Sequence, residues 1–467
     1  MTRIKFFLLA FVFVQLSGMA AFAQAKRPSS KQPEFISTSD IHFNPFYDGS
    51  LVLSLMVTDY TKWDSIFKLS PSKAISEDGA DANYALFVSA LGAMRKTNPK
   101  PQYIIVTGDF LAHNFTGKLV NQVPDTSLQK AFINNTIRFT AYMFNKYFPN
   151  TVILPVLGNN DSYCGDYDMS PQNPFLNMFA KAWVPLQRNN SKAKDSMFVA
   201  QFSRGGYYSF TPKGDPGHKL LMLNTIFFSR KYMNTCEGGD TSTTSGGINE
   251  MKWLENELQA NATLGAKANK LWLAYHIPPG IDVYGSTRPG IVSPMWDSGY
   301  NRRFLGFLNT YSANITANFA GHTHMDDFRV LYNAEKKPVS FVRITPSISR
   351  SNGNYPGFQV FSYSTGGYAL TNYKTYYLNA TTTDSATAWA LEYDFGQQYG
   401  ISGINAVSLD ALRSKLASDV NSQNSFMKYY EVSNLRHVNS LRRNWQCYWC
   451  GTGELTATDY TNCVNKQ

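Results

Sequence analysis

Residues 151–161, TVILPVLGNND, run from a β-branched apolar segment straight into Gly158, Asn159, Asn160 and Asp161. Taken alone, Gly-Asn-Asn-Asp is a turn, because glycine and asparagine tolerate the left-handed backbone and Asn and Asp side chains bond their own main chain. The same layout recurs, however. FISTSDIH (35–42), YIIVTGDFLAH (103–113), KLLMLNT (219–225), LWLAYHIPPG (271–280) and ANFAGHTH (317–324) are also short apolar runs ending in polar residues. Each reads as a buried strand that delivers polar side chains at its C-terminal edge. Helical patterns fall between them at 82–97, 128–148, 249–264 and 300–312. Strands alternating with helices predict an α/β domain with a buried, largely parallel sheet, and ligands bind such sheets at the carboxyl ends of the strands.

The N-terminus carries Arg3 and Lys5, an apolar run over 6–14 and then MAAFAQA (19–25), the layout of a cleavable signal peptide spanning 1–25. The run is too short to span a bilayer. A secreted or periplasmic protein is expected, without a transmembrane anchor but free to touch a membrane surface. Residues 26–33, KRPSSKQP, read as a flexible leader. Cleavage removes two positive and no negative charges and leaves a formal balance of +8 from +10. That balance suits anionic substrates, but the basic residues are scattered, so no nucleic-acid partner is expected. After residue 375 the pattern becomes irregular and then helical (408–432), ending in CYWCGTGELTATDYTNC (447–463). The expected division is a catalytic domain at 34–375 and a mainly helical C-terminal subdomain at 376–467, in a monomer. Export permits disulfides. Of five cysteines, Cys450 with Cys463 is the first candidate pair and Cys164 with Cys236 the second, leaving Cys447 over.

Histidine is scarce, with seven in the chain, and five of them (His42, His113, His276, His322 and His324) fall at or just beyond expected strand ends. Asp40, Asp109 and Asn159 occupy matching places. A lone histidine is usually structural; five coincident placements are not explained that way. Imidazole with carboxylate and amide oxygen suits zinc, manganese or iron, and a shared carboxylate could hold two ions about 3.5 to 4 Å apart. Such a pair clamps a phosphoryl group: one ion makes hydroxide from water at neutral pH, and both neutralise charge on the phosphoryl oxygens. His437 lies outside these clusters, in the helical C-terminal region, and reads as a surface or packing residue.

The order Asp-x-His (Asp40, His42), Gly-Asp (Gly108, Asp109), Gly-Asn (Gly158, Asn159), a lone His276 and Gly-His-x-His (Gly321 to His324) resembles the calcineurin-like metallophosphoesterase superfamily. Within it, TGDFLAHN (107–114) and the C-terminal cysteine segment look like those of the acid sphingomyelinase-like phosphodiesterases, in their saposin-less branch. The resemblance implies a β-sandwich core flanked by helices in four α/β/β/α layers, with a disulfide-bearing C-terminal subdomain. It also implies two divalent ions, zinc foremost, with manganese or iron also fitting. Asp40, His42 and His324 would hold the first ion and Asn159, His276 and His322 the second, with Asp109 bridging. His113 would lie by the phosphate as proton donor, and His113, Asn159 and Asn160 would bind substrate. Asn160 is a departure, since those relatives carry histidine there, and an amide donates a hydrogen bond but delivers no proton. Asn44, where many members carry Asp, is a smaller one. The expected activity is phosphodiester or pyrophosphate hydrolysis on small phosphate compounds, nucleotides before lipids. A sphingomyelinase or other phospholipid phosphodiesterase, an endopolyphosphatase and a metal-binding degraded enzyme are the alternatives.

Overall fold

The run at 152–155 folds as an edge strand, which is why it tolerates Pro155, a residue with no N–H to give a ladder. Its outer carbonyls are covered: Gln187 donates to Ile153 O at 2.8 Å and the Tyr208 hydroxyl to Pro155 O at 3.0 Å. The computed structural model describes residues 32–466 except 124, 189–190, 237–243 and 381–388. The expected signal peptide (1–25) and residues 26–31 of the expected leader lie outside the described residues.

Twelve strands occur among the described residues: β1 (Glu34–Thr38), β2 (Tyr103–Val106), β3 (Val152–Pro155), β4 (Tyr208–Phe210), β5 (His218–Met222), β6 (Lys270–Ala274), β7 (Ile315–Ala320), β8 (Asp327–Tyr332), β9 (Pro338–Ile344), β10 (Gly357–Tyr363), β11 (Leu370–Leu378) and β12 (Trp389–Asp394). They form two six-stranded sheets, ordered β12-β11-β10-β1-β2-β3 and β4-β5-β6-β7-β9-β8. Aromatic side chains from both inner faces interdigitate. Phe35 of β1 meets Trp272 of β6 and Phe319 of β7 at ring-centroid distances of 5.0 and 5.4 Å, and Phe361 of β10 also meets Phe319 at 5.4 Å. The expected sandwich is present.

The six strands expected from the apolar runs all form, and each expected helix appears within four residues of its expected start, as Tyr84–Thr97, Thr126–Tyr147, Ser245–Ala262 and Ser298–Thr310. The expectation of a largely parallel sheet needs correction. Only the β1-β2-β3 and β5-β6-β7-β9 runs are parallel, and β4, β8, β10, β11 and β12 pair antiparallel. For β8–β9, β10–β11 and β11–β12 the reason is local: these strands are neighbours in sequence with no helix between them among the described residues, and a short connection can only return antiparallel. β11 runs through residue 375 and β12 completes the first sheet, so the chain stays in that sheet until Asp394. Helix Ala406–Ser418 then packs on β8 and β9. Cys450 pairs with Cys463 and Cys164 with Cys236, as expected, and Cys447 is a free thiol.

Candidate active site

Because β1, β2 and β3 run parallel in register, as do β5, β6 and β7, the residues just after them arrive at one edge of the sandwich. There the backbone turns back sharply. Asp40, His42, Asp109, His322 and His324 all hold left-handed conformations, with φ of 48°, 44°, 55°, 72° and 67°. Non-glycine residues held this way cost about 1–3 kcal/mol each and cluster where the surroundings over-determine a functional geometry. The loops pack too closely for side chains between them. A Cβ on Gly108 would lie 2.7 Å from Gly158 N and 2.8 Å from His276 Nδ1.

The side chains converge as two sets sharing one oxygen. In the first, His42 Nε2 lies 3.2 Å from His324 Nε2, 3.7 Å from Asp40 Oδ1 and 3.4 Å from Asp109 Oδ2. In the second, His276 Nε2 lies 3.2 Å from the same Asp109 Oδ2, 3.0 Å from Asn159 Oδ1 and 3.3 Å from His322 Nδ1. The outward atoms are already used. His42 Nδ1 donates to Leu111 O at 3.0 Å and His276 Nδ1 to Thr107 O at 2.6 Å, while Ser39 Oγ and the His322 N–H donate to Asp40 Oδ2. Asp40 Oδ1 is buried with no hydrogen-bond donor among the described residues. Each inward atom therefore faces a common centre, which is the arrangement of a metal cage with its outer hydrogen bonds in place.

The electrostatics agree. Burial opposes charge on Asp40, yet His324 and His276 hold its carboxyl well below the usual range; His276 and His42 do the same for Asp109. Burial also works against protonation of His42 and His276, but Asp109 and Asp40 pull both up to about 9. Two buried carboxylates thus demand positive charge at this spot. His322 and His324 are pushed down to about 3, by burial and, respectively, by His276 and His42, and so are neutral imidazoles ready to ligate. The residues fit two divalent cations.

A further layer of residues orients these groups, and Asp81, Asp161, Asp166 and Tyr167 in it were not predicted from sequence. The Asn159 amide donates to Asp166 Oδ1 at 2.6 Å, which turns its oxygen toward His276. The Tyr167 hydroxyl lies 3.2 Å from His322 Nε2. The fully buried Asp161 carboxylate accepts from Gly158 N at 2.8 Å, Phe110 N at 2.8 Å and Leu111 N at 3.1 Å, tying the 158–161 turn to the Asp109 loop. His113 stacks on His42 with ring centroids 3.8 Å apart, and its Nδ1 lies 2.6 Å from Asp81 Oδ1, a carboxylate also held by Lys118 at 2.9 Å. Asp81 was legible only as a polar residue ahead of a helix. Asn160, expected to bind substrate, is otherwise engaged: its N–H donates to Asp109 Oδ1 at 2.8 Å and its amide to Oδ2 at 3.0 Å. It secures the shared carboxylate rather than facing the cleft.

Over the cage opens a cavity of about 540 Å³ lined by Asp109, His113, Asn159, His322 and His324 at its floor, by Tyr167, Lys231 and Tyr284, and by Tyr430, Glu431 and His437. His437, expected as a surface or packing residue, is partly exposed. It lines the same cavity as the cage, because the chain between the C-terminal helices returns over the strand edge.

Comparison with known proteins agrees with this geometry. The model of the acid sphingomyelin phosphodiesterase C-terminal region matches residues 338–467, and that of the calcineurin-like phosphoesterases matches residues 34–326. The chain is 26% identical over 450 residues to the cyclic GMP-AMP phosphodiesterase SMPDL3A of Rattus norvegicus, covering 93% of this chain and 92% of that protein. It is 24% identical over 453 residues to acid sphingomyelinase-like phosphodiesterase 3b of Homo sapiens, covering 92% and 90%. A solved dimetal phosphatase from Danio rerio aligns over 74% of this chain and 96% of its own, with a TM-score of 0.41 and 10% identity. With well over half of its length matched, and with a histidine–carboxylate cage at the edge of two packed sheets, the chain belongs to the calcineurin-like phosphoesterase family and is a metal-dependent phosphoric ester hydrolase.

Proposed function

We propose that the protein is an exported phosphodiesterase or pyrophosphatase that uses two metal ions and acts on small phosphate compounds, nucleotides first. The observation that carries the reading is the single oxygen Asp109 Oδ2, which lies between the two sets of donors, 3.4 Å from His42 Nε2 and 3.2 Å from His276 Nε2. Asp40, His42 and His324 would hold one ion and Asn159, His276 and His322 the other, with Asp109 shared; zinc suits the donors best. Bound there, two such ions would activate water and neutralise charge building up on the phosphoryl oxygens. The relatives named as cyclic GMP-AMP phosphodiesterases support a nucleotide substrate, and the two disulfides support export to an oxidising compartment. Among the described residues no helix is long and apolar enough to cross a membrane.

The chain's own groups divide the remaining work. His113, whose Nδ1 is held by Asp81 and which lines the cavity, would protonate a departing oxygen. Lys231, 5.1 Å above the Tyr167 ring, adds positive charge to the cavity wall for an anionic substrate. Asn160 supplies no acid. An alkoxide leaving group gains much from protonation, whereas a phosphoanhydride expels a group that leaves unprotonated, so one remaining acid favours anhydrides and activated aryl esters.

The test is a panel of nucleoside triphosphates, dinucleotides, cyclic nucleotides, polyphosphate and sphingomyelin, assayed with zinc and with manganese. Turnover of nucleotides that is lost on chelation and recovered with either metal is expected. A wild-type protein that prefers sphingomyelin to every nucleotide would refute the substrate reading. His113→Ala should then lower turnover of alkyl diesters by about 10²- to 10⁴-fold, the usual worth of general-acid help, and that of ATP far less. Equal losses on both substrates would remove His113 from the acid role.

A further inference from the structure

The C-terminal region brings a second carboxyl–imidazole pair to the cavity, and the metal cage does not use it. Helix Val420–Tyr430 ends in an unusual reversal in which Val432 and Ser433 both adopt the left-handed backbone, with φ of 54° and 59°. For a β-branched residue such as Val432, this conformation is a genuine outlier. It is held by bonds on every side: Asp326 N donates to Tyr430 O at 2.9 Å, Tyr355 N to Glu431 O at 3.2 Å, and Ser433 Oγ to Glu392 Oε1 at 2.8 Å. The reversal places the buried Glu431 carboxyl against His437, with Oε1 3.1 Å from Nδ1 and Oε2 3.4 Å from the backbone N–H. Space for the ring is kept by Gly353, where a Cβ would come within 2.5 Å of His437 Cε1. Both residues line the cavity that holds His113, His322 and His324. The His437 ring remains 43% exposed, and its Nε2 has no hydrogen-bond partner among the described residues. Strain stored to aim a polar group into a reaction cavity is the pattern of a functional site.

We propose that His437, held by Glu431, donates a hydrogen bond from Nε2 to an oxygen on the part of the substrate beyond the scissile phosphate. It thereby selects substrates whose remote portion carries a phosphate or sugar oxygen over those with an apolar one. The inference rests on the nucleotide reading above and names the group that recognises such a substrate. Burial pushes the Glu431 carboxyl up to about 8, against the pull of the His437 backbone N–H. When the proton shared by the pair sits on the Glu431 carboxyl, His437 Nδ1 accepts the hydrogen bond and Nε2 carries the ring hydrogen and donates. The pair repeats the arrangement of Asp81 and His113 on the same cavity, where the two Nδ1–carboxylate distances are 2.6 and 3.1 Å.

The experiment compares His437→Ala with wild type on ATP and on bis(p-nitrophenyl) phosphate, whose remote group offers only an aryl face and a nitro group. We expect kcat/KM for ATP to fall about 10- to 100-fold, mainly through KM, as for loss of one hydrogen bond to a charged group, while the aryl diester changes less than about twofold. Bound metal should stay at the wild-type level. His437→Gln, which keeps a side-chain N–H, should recover part of the loss on ATP, and Glu431→Gln should reproduce part of it. Equal losses on both substrates would mark His437 as merely structural, and no loss on either would remove it from recognition; either result overturns the proposal. A wild type that cleaves the aryl diester but no nucleotide refutes the substrate reading instead. The anchor is then judged by competitive inhibition of aryl-diester turnover by AMP, which must weaken in His437→Ala for the proposal to stand.

Discussion

Replacing Asp109 by asparagine is expected to lower kcat/KM by about 10³-fold or more and to leave the protein with at most one ion per chain. Asp109 Oδ2 lies within 3.4 Å of His42 Nε2 in one donor set and 3.2 Å of His276 Nε2 in the other, and the Asn160 N–H and amide hold the carboxylate in place. An amide in its place removes the negative charge that both cations would share. It also turns either a donor or a weaker acceptor toward Asn160. Metal clamping of a phosphoryl group is worth several kcal/mol, and at 1.36 kcal/mol per decade the loss of half the clamp reaches about three decades. Elemental analysis after loading with excess zinc, together with aryl-diester kinetics, checks both parts. Retention of two ions with near-normal turnover would mean that the shared oxygen does not bridge.

Asp161→Ala is expected to destabilise the fold by about 3–5 kcal/mol and to weaken metal binding by about 10- to 100-fold. The side chain touches no substrate; its effect runs through the backbone. Its two oxygens accept from the N–H groups of Gly158 in its own turn and of Phe110 and Leu111 in the Asp109 loop, and truncation leaves three donors without a partner. Each buried unsatisfied donor costs about 1–3 kcal/mol. The loops carrying Asp109 and Asn159 then lose their common tie. Asp161→Asn should be intermediate in severity, since its carbonyl oxygen can still serve Phe110 and Leu111 while its amide faces the Gly158 N–H, donor against donor. Denaturant unfolding should show a lower midpoint with an unchanged m-value. A loss under about 1 kcal/mol would show that water satisfies the turn without the carboxylate.

The motif residues were legible because their chemistry is local. A parallel strand ending in Thr-Gly-Asp or Leu-Gly-Asn leaves its polar residues at the carboxyl edge whatever the rest of the chain does, so Asp40, Asp109, Asn159, His276, His322 and His324 could be grouped before any coordinates. The disulfides were legible in the same way, as the best pairings of five cysteines. The antiparallel strands from β8 onward were not recognised. They show neither the continuous apolar run of a parallel strand nor a histidine at the end, and the pairing that seats β10 in the first sheet, against β1, joins distant parts of the chain.

The residues that orient the cage were hidden for a related reason. Asp81 meets His113 across 32 positions, Asp161 meets Phe110 across 51, and Tyr167 meets His322 across 155. An aspartate or tyrosine in a loop carries no mark of the partner it will find. Asn160 shows the same limit from the other side: its identity revealed that no proton donor stands at that position, but only the packed turn aimed its amide at Asp109. The sequence by itself determined the alternation of strands and helices and the clustering of metal-binding residue types at strand ends, because residue type and short-range spacing are enough for each; the sandwich followed only from the resemblance that the order of those motifs carries. Tertiary structure alone decided which groups orient that set and which residues wall the cavity, His437 above all. Most of those contacts join segments separated by tens to more than a hundred residues, and their hydrogen bonds exist only once the two sheets and the C-terminal helices have packed.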